Sequence, residues 1–410
     1  MTPPRVAIVS RSVFPIHGRG GLERSVYDLA RHLAERDLPV TLITRTPTGP
    51  SAVNASGIHP RVSVRFVPYR TFPLAGRRGT TVVDRSTAYP LFGLRAGALA
   101  AAMVERGEID IVHGFGASVL GYARRRPNLP APLILNPQGL EEFGATDPSR
   151  AKLKRLAYLP LRRAVLLCAQ RADAIIATDR ALEPMVKTHL RVPDARVHTI
   201  PNAIDLEELD RLTSPAAAAA LRNANETLFL SVGRLEENKG FHLLAAALAA
   251  LQERGILNNW RWVIAGTGPF RGRLDRVIAE AAIGANVQFL GRIDDPELHA
   301  WYEAADLFVH PTLYEGSSLV TLEAMAHRRA CVVTRAGGLP DKVTNGVNGW
   351  MVEPGDPSAL AAAISGALAD PGRVAAMGHA GRAIVEREFS WTAAIDRTLR
   401  LYADLLSRRQ

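Results

Sequence analysis

The chain has 410 residues, of which 47% are hydrophobic, and carries a formal net charge of +10. This length supports a large core and more than one domain, and the absence of any run of about 18 apolar residues argues against a membrane-spanning helix. The charge is uneven: residues 1–200 carry 29 Lys and Arg against 15 Asp and Glu, and the remainder carries 21 against 25. The sequence has no zinc-finger spacing, aromatic ribonucleoprotein motif or basic region followed by heptads, which argues against nucleic acid as a partner.

Two further features concern the cellular compartment. The start, MTPPRVAIVS, lacks the layout of a secretory signal. Cys168 and Cys331 are far apart in apolar surroundings and suggest neither a disulfide framework nor a metal site. We therefore expect a cytoplasmic protein, with possible attachment of its basic half to the inner face of a membrane.

Short apolar runs alternate with helical periodicity along the chain. The first half contains RVAIVS, VTLIT, VSVRFV, IDIVH, PLILN and AIIAT, and the second contains LFLSVG, WVIAG, VQFLG, LFVHP and CVVT. Most are continuous rather than alternating, as is typical of parallel strands buried on both faces. Between the first two, one apolar stripe predicts a helix and comprises Leu22, Val26, Leu29, Ala30 and Leu33.

The series breaks near HTIPNAIDLEELD, residues 198–210, where a strand ends in Pro-Asn, and a new first strand begins at Leu228. This pattern predicts two doubly wound α/β domains, 1–200 and 201–390, with a cleft between them. Ligands of open α/β sheets bind beyond the carboxyl ends of the strands, so candidate site residues are sought there.

In the first domain, Gly18, Gly20 and Gly21 precede the first helix and allow a phosphate to approach its amino end. They do not form the Gly-x-Gly-x-x-Gly fingerprint, which disfavours a dinucleotide dehydrogenase. His113 is expected at the end of a strand, where a structural and a catalytic role are both open.

In the second domain, Arg234 and Lys239 follow a strand that ends at Gly233. Two cations beside a helix amino terminus suit a diphosphate, although a solvated charged loop would have the same composition. Gly266 and Gly268 follow the next strand and indicate either close approach to a ligand or a tight turn. Arg292, after another strand, is expected at the same edge of the sheet.

The segment YEGSSLVTLEAMA, residues 314–326, contains two carboxylates eight positions apart, Glu315 and Glu323. Pro311 disfavours helix before it, so Glu315 is expected on a loop. Ser317 and Ser318 are good N-cap residues, which places Glu323 on the following helix. First-turn amides would then be available to phosphate or sugar oxygens, although a cap followed by a solvated glutamate is the simpler alternative.

These stretches resemble, in family order, the retaining, nucleotide-sugar-dependent glycosyltransferases of family 4, which have the GT-B fold. The matching segments cover nearly the whole chain and are GGLE at 20–23, DIVH at 110–113, IPNAID at 200–205, SVGRLEENKGF at 231–241, AGTGP at 265–269, FLGRI at 289–293, YEGSSLVTLEAMA at 314–326 and GGLPD at 337–341. The ending, from about residue 391 to 410, resembles the family's last helices, which pack back on the first domain.

The resemblance implies a role for each matching position. Glu323 would accept hydrogen bonds from the ribose of the nucleotide, Glu315 would face the donor sugar, and His113 would lie near its reacting face. Arg234 and Lys239 would hold the diphosphate and stabilise it as a leaving group. The remaining donor contacts would come from Gly20, Gly21, Gly266, Gly268, Arg292, Ile293, Gly316, Ser317, Ser318, Leu319 and Val320.

The resemblance also implies transfer with retention through front-face attack, with no metal required because Arg and Lys replace it. Two positions depart from the family pattern. Ala203 replaces a hinge glycine, with a structural effect expected. Gly316-Ser317-Ser318 replaces the usual Gly-Phe-Gly, which leaves the identity of the donor sugar open.

The acceptor is expected to bind the basic first domain, through residues 69–86 with Arg77 and Arg78, through 136–143, or through 149–173. The last segment mixes leucines with Lys152, Lys154, Arg155, Arg162 and Arg163, and an interfacial helix on anionic lipid and an ordinary helix interrupted at Pro160 both fit. We expect a UDP- or GDP-linked donor and a glycan, glycolipid or lipid-linked acceptor in cell-surface polysaccharide or glycolipid biosynthesis. A nucleotide-sugar epimerase of GT-B fold and a non-catalytic sugar-nucleotide-binding protein are the alternatives.

Overall fold

The computed structural model describes residues 3–18, 20–47, 57–69, 80–137, 140, 143 and 156–408, without the side chains of 80–85. The chain forms two compact units, Met1–Asn202 together with Ala394–Gln410, and Ala203–Ala393. The sequence analysis placed the boundary two residues earlier, between 200 and 201.

The first unit has seven described strands. They are β1 Val6–Val9, β2 Val40–Arg45, β3 Val62–Val67, β4 Ile111–Phe115, β5 Leu133–Asn136, β6 Ala174–Ala177 and β7 Val197–Thr199. All pair in parallel in the order β3-β2-β1-β4-β5-β6-β7. The order reverses between β1 and β4, which is the topological switch point of this sheet.

The α-helices described in this unit cover the sheet. They are α1 Gly21–Glu35, α2 Thr80–Glu105, α3 Leu120–Arg125, α4 Leu159–Arg171, α5 Glu183–Leu190 and, from the end of the chain, α14 Trp391–Ser407, whose first three residues belong to the second unit. The stripe predicted for α1 is buried at Val26, Leu29, Ala30 and Leu33, and Leu22 is half-buried.

One stretch of α2, Ser86–Glu105, is long and apolar enough to cross a membrane by length and composition, and half of its apolar window is buried within the protein. Phe92, Ala96, Ala100 and Val104 belong to the core of the first unit. Its apolar character is therefore explained by packing against that core.

The second unit contains a sheet of six described strands. They are β8 Thr227–Val232, β9 Trp260–Ala265, β10 Val287–Gly291, β11 Leu307–His310, β12 Ala330–Thr334 and β13 Gly349–Val352. All pair in parallel in the order β10-β9-β8-β11-β12-β13. The switch point lies between β8 and β11.

The α-helices described here are α6 Leu206–Leu212, α7 Pro215–Ala220, α8 Phe241–Glu253, α9 Arg271–Glu280, α10 Asp295–Ala304, α11 Leu319–Ala326, α12 Pro357–Leu368 and α13 Pro371–Ile384, which continues as a π-helix over Val385–Phe389. Neighbouring strand residues face opposite cores: Phe229 packs with α8 and α12, and Leu228 and Leu230 pack with α10 and α11. This explains the continuous apolar runs.

The predicted fold class, two doubly wound α/β domains, is confirmed, and all eleven apolar runs coincide with strands. One strand was missed. The sequence NGWMVEP at β13 is short, and after buried Gly349 its residues are only half-buried because β13 lies at the edge of the sheet. Without a long apolar run, nothing in the sequence marked it as a strand.

Candidate functional site

The loops that follow β8 and β11 meet at the switch point of the second sheet. A 3-10 turn, Glu237–Lys239, lies on the first loop. Its Asn238 carbonyl accepts hydrogen bonds from Leu313 N at 2.7 Å and Thr312 Oγ1 at 3.0 Å, both on the second loop. This junction brings the predicted residues Lys239 and Glu315 together.

Glu315 receives hydrogen bonds at both carboxylate oxygens. Lys239 Nζ donates to Oε2 at 2.7 Å, His310 Nε2 contacts the same oxygen at 2.6 Å, and Gly316 N donates to Oε1 at 3.1 Å. Because a carboxylate only accepts, His310 carries the proton in its contact. The side chains of Lys239 and Glu315 are each 13% exposed, and that of His310 is fully buried.

Two opposing influences set the charge of this carboxylate. Burial raises the pKa of Glu315, but the hydrogen bond from His310 and the neighbouring Lys239 ammonium outweigh burial and lower the pKa to about 2. Glu315 is therefore a carboxylate at neutral pH. The sequence analysis included His310 only as part of the apolar run LFVHP, since nothing in the sequence showed that its ring contacts the acid five residues later.

The helix α11 begins as the sequence predicted. Ser318 is its N-cap, with Oγ 3.4 Å from Thr321 N and 2.8 Å from Thr321 Oγ1. Glu315 lies on the preceding loop and Glu323 within the helix, which confirms that part of the prediction. Ser317 Oγ is buried and has no hydrogen-bond partner among the described residues.

Glu323 is half-buried and is contacted by Tyr302, which the sequence analysis did not identify. Tyr302 Oη lies 2.8 Å from Glu323 Oε2 and 3.2 Å from the Val320 carbonyl. Tyr302 precedes Glu323 by 21 residues and lies on α10, so sequence proximity gave no signal.

The other predicted cation, Arg234, extends outward from the same loop. Its side chain is 75% exposed, and Nη1 lies 2.7 Å from Glu236 Oε1. An ion pair this exposed contributes little to stability. The guanidinium can therefore exchange this partner for another anion at small cost, and its role toward a diphosphate stays a prediction.

Gly266 and Gly268, the two glycines after β9, allow two backbone loops to pack closely. A Cβ on Gly266 would lie 1.9 Å from the Gly233 carbonyl oxygen, and one on Gly268 would lie 2.2 Å from that of Leu235. The observed close approach is thus between two backbone loops, and contact with a ligand stays a prediction. Beyond β10, Arg292 is exposed, whereas Ile293 packs partly against the core.

In the first unit, Gly20 is the N-cap residue of α1 and Gly21 its first residue, and both are exposed. A side chain on Gly20 would collide with the Glu23 carboxylate, 2.4 Å from the Cβ position. Gly20 and Gly21 are thus placed at a helix amino end as expected, and the phosphate contact stays a prediction.

The expected position of His113 is wrong. It is the middle residue of β4, because the strand continues through Gly114 and Phe115. Its ring is 2% exposed, stacks on Phe115 and places Nδ1 2.8 Å from Tyr402 Oη on α14. Burial lowers the pKa of His113 to about 3. This neutral, enclosed ring joins α14 to the sheet, and the implied catalytic role stays a prediction.

Much of the predicted acceptor region lies outside the described residues, including Arg77, Arg78, Lys152, Lys154, Arg155 and half of 136–143. Arg162 and Arg163 lie on α4, where the Arg162 guanidinium stacks 5.1 Å from the Phe143 ring centroid and Arg163 is exposed. Pro160 does not interrupt this helix, because it lies in the first turn, where the missing N–H costs nothing.

A concavity lies at the opposite, amino-terminal edge of the second sheet. Its volume is about 470 Å³, and it is lined by Arg222, Asp306, Arg328, Arg329 and His379 beside apolar residues of α12 and α13. Arg222 is paired with Asp306 at 2.9 Å, and Arg329 donates to the carbonyls of His327 and Ala305. These guanidinium groups stabilise the ends of strands. Within the described part of the chain, no group of three or more His, Cys, Asp or Glu is arranged to hold a metal ion.

Two parallel, doubly wound sheets, the second with charged loops at its switch point, are the architecture of the GT-B class of glycosyltransferases. The family description "Glycosyltransferase Family 4" matches residues 19–208, and "Glycosyl transferases group 1" matches residues 216–384. D-inositol 3-phosphate glycosyltransferase 1 of Catenulispora acidiphila is 30% identical over 98% of this chain and 96% of its own length. The chain belongs to glycosyltransferase family 4.

Solved structures show the same fold. Sucrose-phosphate synthase from Thermosynechococcus elongatus aligns with a TM-score of 0.78 at 24% identity, covering 99% of this chain and 100% of that one. Anabaena HepE, solved with UDP, aligns with a TM-score of 0.72 at 19% identity, covering 98% and 100%. A second HepE structure, with UDP-glucose, aligns with a TM-score of 0.68 at 20% identity, covering 99% and 100%.

Proposed function

We propose that this glycosyltransferase moves a sugar, with retention, from a UDP- or GDP-linked donor bound at the switch point of the second sheet. The observation that carries the proposal is the Lys239–Glu315–His310 cluster, which holds an ionised carboxylate beside a cation at the loops leading to α8 and α11. Ligands of doubly wound sheets bind at this position, and helix amino ends favour phosphate.

Lys239 and Arg234 stabilise the leaving diphosphate in this proposal. Negative charge grows on the diphosphate as the glycosidic bond breaks, and the sugar acquires oxocarbenium character. Fixed cations and helix-end amides directed at that charge lower the barrier. We further propose that these groups suffice without a divalent metal, so activity persists in excess EDTA.

The donor base and the acceptor are proposed from relatives and from charge. HepE, a structural neighbour, is solved with UDP and UDP-glucose, which favours a uridine donor. Several relatives, at 26–30% identity, are named for D-inositol 3-phosphate. A phosphorylated polyol is negatively charged and would be attracted to residues 1–200, where 29 Lys and Arg outnumber 15 Asp and Glu.

A lipid-linked acceptor in cell-surface polysaccharide or glycolipid biosynthesis is the second candidate. Leu156 and Leu159, just before and at the start of α4, are 67% and 37% exposed. Exposed leucines beside the exposed Arg163 are typical of a surface that contacts anionic lipid. The named relatives do not favour this acceptor, so the phosphorylated polyol is tested first.

Two measurements test the proposal. Thermal shifts against UDP-, GDP- and ADP-sugars identify the donor, since a ligand at a hundredfold excess over its Kd adds about 2.7 kcal/mol of apparent stability. Transfer is then assayed with that donor and either D-inositol 3-phosphate or a lipid-linked acceptor, with and without EDTA. Conversion of the donor without any acceptor would instead identify an epimerase.

Glu315→Ala tests the catalytic assignment. We expect transfer at saturating donor to fall at least a hundredfold, the loss typical of one preorganised electrostatic group. The matched control is Glu253→Ala, which removes an exposed carboxylate of the same unit and leaves transfer unchanged. Full activity of Glu315→Ala would refute the assignment.

A further inference from the structure

Tyr302 combines full burial with a hydroxyl directed at the second motif glutamate. The residue is 0% exposed, and its Oη lies 2.8 Å from Glu323 Oε2 and 3.2 Å from the Val320 carbonyl oxygen. A phenol has one proton to donate, and a charged carboxylate at the shorter distance is the stronger acceptor. The hydroxyl therefore restrains the Glu323 carboxylate from the side of α10.

The ring of Tyr302 is immobilised by its neighbours. His327 stacks on it with centroids 5.6 Å apart and planes at 7°, and Phe308 packs at 5.7 Å. His327 is itself held, with Nε2 2.8 Å from His299 Nδ1 and Nδ1 3.2 Å from Glu303 Oε2. A donor on a ring fixed in this way holds its acceptor in one orientation without further loss of side-chain freedom.

The proton of this hydroxyl stays in place throughout the physiological range. Burial and the adjacent Glu323 carboxylate raise the pKa of Tyr302 well above its usual value. A carboxylate has about four lone-pair positions, so acceptance of one bond from Tyr302 leaves capacity for a pair of vicinal hydroxyls. Glu323 is half-buried, so part of the residue is exposed to solvent.

We propose that Tyr302 is a positioning residue that orients Glu323 to recognise both hydroxyls of a ribose, so that the site selects ribonucleotides. This inference rests on the proposed function. Tyr302 acts through Glu323, so its loss affects donor binding and leaves the chemical step intact. The effect should depend on the presence of the ribose hydroxyls, which a purely structural role would not produce.

The experiment compares the wild-type chain with Tyr302→Phe by calorimetric titration against UDP and 2′,3′-dideoxy-UDP. For the wild type we expect at least about tenfold weaker binding of the dideoxy analogue, because hydrogen bonds to a charged group contribute this much or more. Tyr302→Phe should weaken UDP about five- to tenfold and leave the analogue unchanged. In transfer assays KM for the donor should rise in proportion, with kcat within about twofold.

The matched control is Tyr122→Phe. Tyr122 is also 0% exposed, and its hydroxyl donates to the Ala131 carbonyl at 2.6 Å in the first unit. Removal of this hydroxyl should lower the free energy of unfolding about as much as Tyr302→Phe does. It should leave the affinities for UDP and 2′,3′-dideoxy-UDP unchanged. Glu323→Gln gives an independent measurement if Tyr302→Phe folds poorly: the amide keeps the shape of the side chain and should abolish most of the discrimination.

Two results would overturn the inference alone. One is equal loss of affinity for UDP and its analogue in Tyr302→Phe, and the other is full discrimination retained in Tyr302→Phe or Glu323→Gln. Failure of the wild-type chain to bind any nucleoside diphosphate would instead overturn the proposed function and the inference with it.

Discussion

At the scale of single residues, Glu315 joins two loops that are distant in sequence. Lys239 approaches it from the loop after β8, and His310 is the last residue of β11. Lys239 and Glu315 form an ion pair at 2.7 Å, and the side chain of each is only 13% exposed. Removal of one member of such a pair leaves the other charge poorly solvated, which costs more than an exposed ion pair would.

This arrangement predicts how Glu315→Gln changes stability with pH. The pKa of Glu315 is lowered from 4.5 to about 2, so the carboxylate stabilises the fold above about pH 4.5 and loses that contribution as pH falls through about 2. We expect Glu315→Gln to be less stable than the wild type by about 3 kcal/mol at pH 7. The difference in free energy of unfolding between the wild type and Glu315→Gln, measured by urea denaturation, should decrease toward zero in acid.

Tryptophan fluorescence suits this measurement because all five tryptophans lie in the second unit, at positions 260, 262, 301, 350 and 391. Glu353→Gln is the control. It removes a carboxylate that is 70% exposed and paired with Arg335, and it should change stability by less than about 1 kcal/mol. A gap for Glu315→Gln that stays constant from pH 7 to pH 3 would contradict the assigned cause.

At the scale of elements, the sequence predicted which strand, loop or helix carries a site residue. It was less successful at predicting which side chains that residue contacts. Glu315, Lys239 and the cap at Ser318 were placed correctly relative to strands and helix, because proline, glycine and serine mark those boundaries locally. Tyr302 and His310 were missed because their partners are set by side-chain packing across elements. His113 was misplaced because the apolar run that defines β4 continues past it through Gly114 to Phe115.

The segment GGLPD illustrates a further contact that the sequence could not reveal. Gly337 adopts a φ of +52°, and a Cβ there would lie 1.7 Å from the Glu315 carbonyl oxygen. The backbone of Gly338 also donates to the Gly316 carbonyl at 3.1 Å. The loop after β12 therefore supports the loop that carries Glu315, and it tolerates no side chain at this point of contact.

Gly337→Ala should consequently disturb the site. Positive φ and overpacking against the backbone together should destabilise the second unit by about 1–4 kcal/mol, and KM for the donor should rise as Glu315 is displaced. Thermal melting and donor kinetics measure the two effects. Gly366→Ala within α12 is the control, because no atom lies within 4 Å of its Cβ position. It should stabilise by up to about 1 kcal/mol, and equal effects of both variants would refute the contact argument.

At the scale of the whole molecule, the end of the chain returns to the first unit. The resemblance to the family led to that expectation, and residues 394–410 do belong with 1–202. Along α14, Ile395, Leu401, Tyr402 and Leu405 are buried, and the Tyr402 hydroxyl contacts His113 in the middle of the sheet. This contact gives His113 a part in holding α14 to the sheet, which the sequence alone did not show.

Leu401→Ala should therefore weaken the first unit selectively. Leu401 is 6% exposed, and truncation of a buried leucine costs about 2–5 kcal/mol because a cavity remains. Calorimetry and far-UV circular dichroism, which follow both units, should show an earlier transition. Four of the five tryptophans lie in the second unit away from α14, and only Trp391 lies on that helix. The main fluorescence transition should therefore keep its midpoint. Arg400→Ala, the exposed neighbour on the same helix, should change the stability reported by either signal by no more than about 0.5 kcal/mol.

If the fluorescence midpoint of Leu401→Ala fell together with the calorimetric one, the two units would unfold as one cooperative body. The packing of α14 would then stabilise the entire chain rather than the first unit.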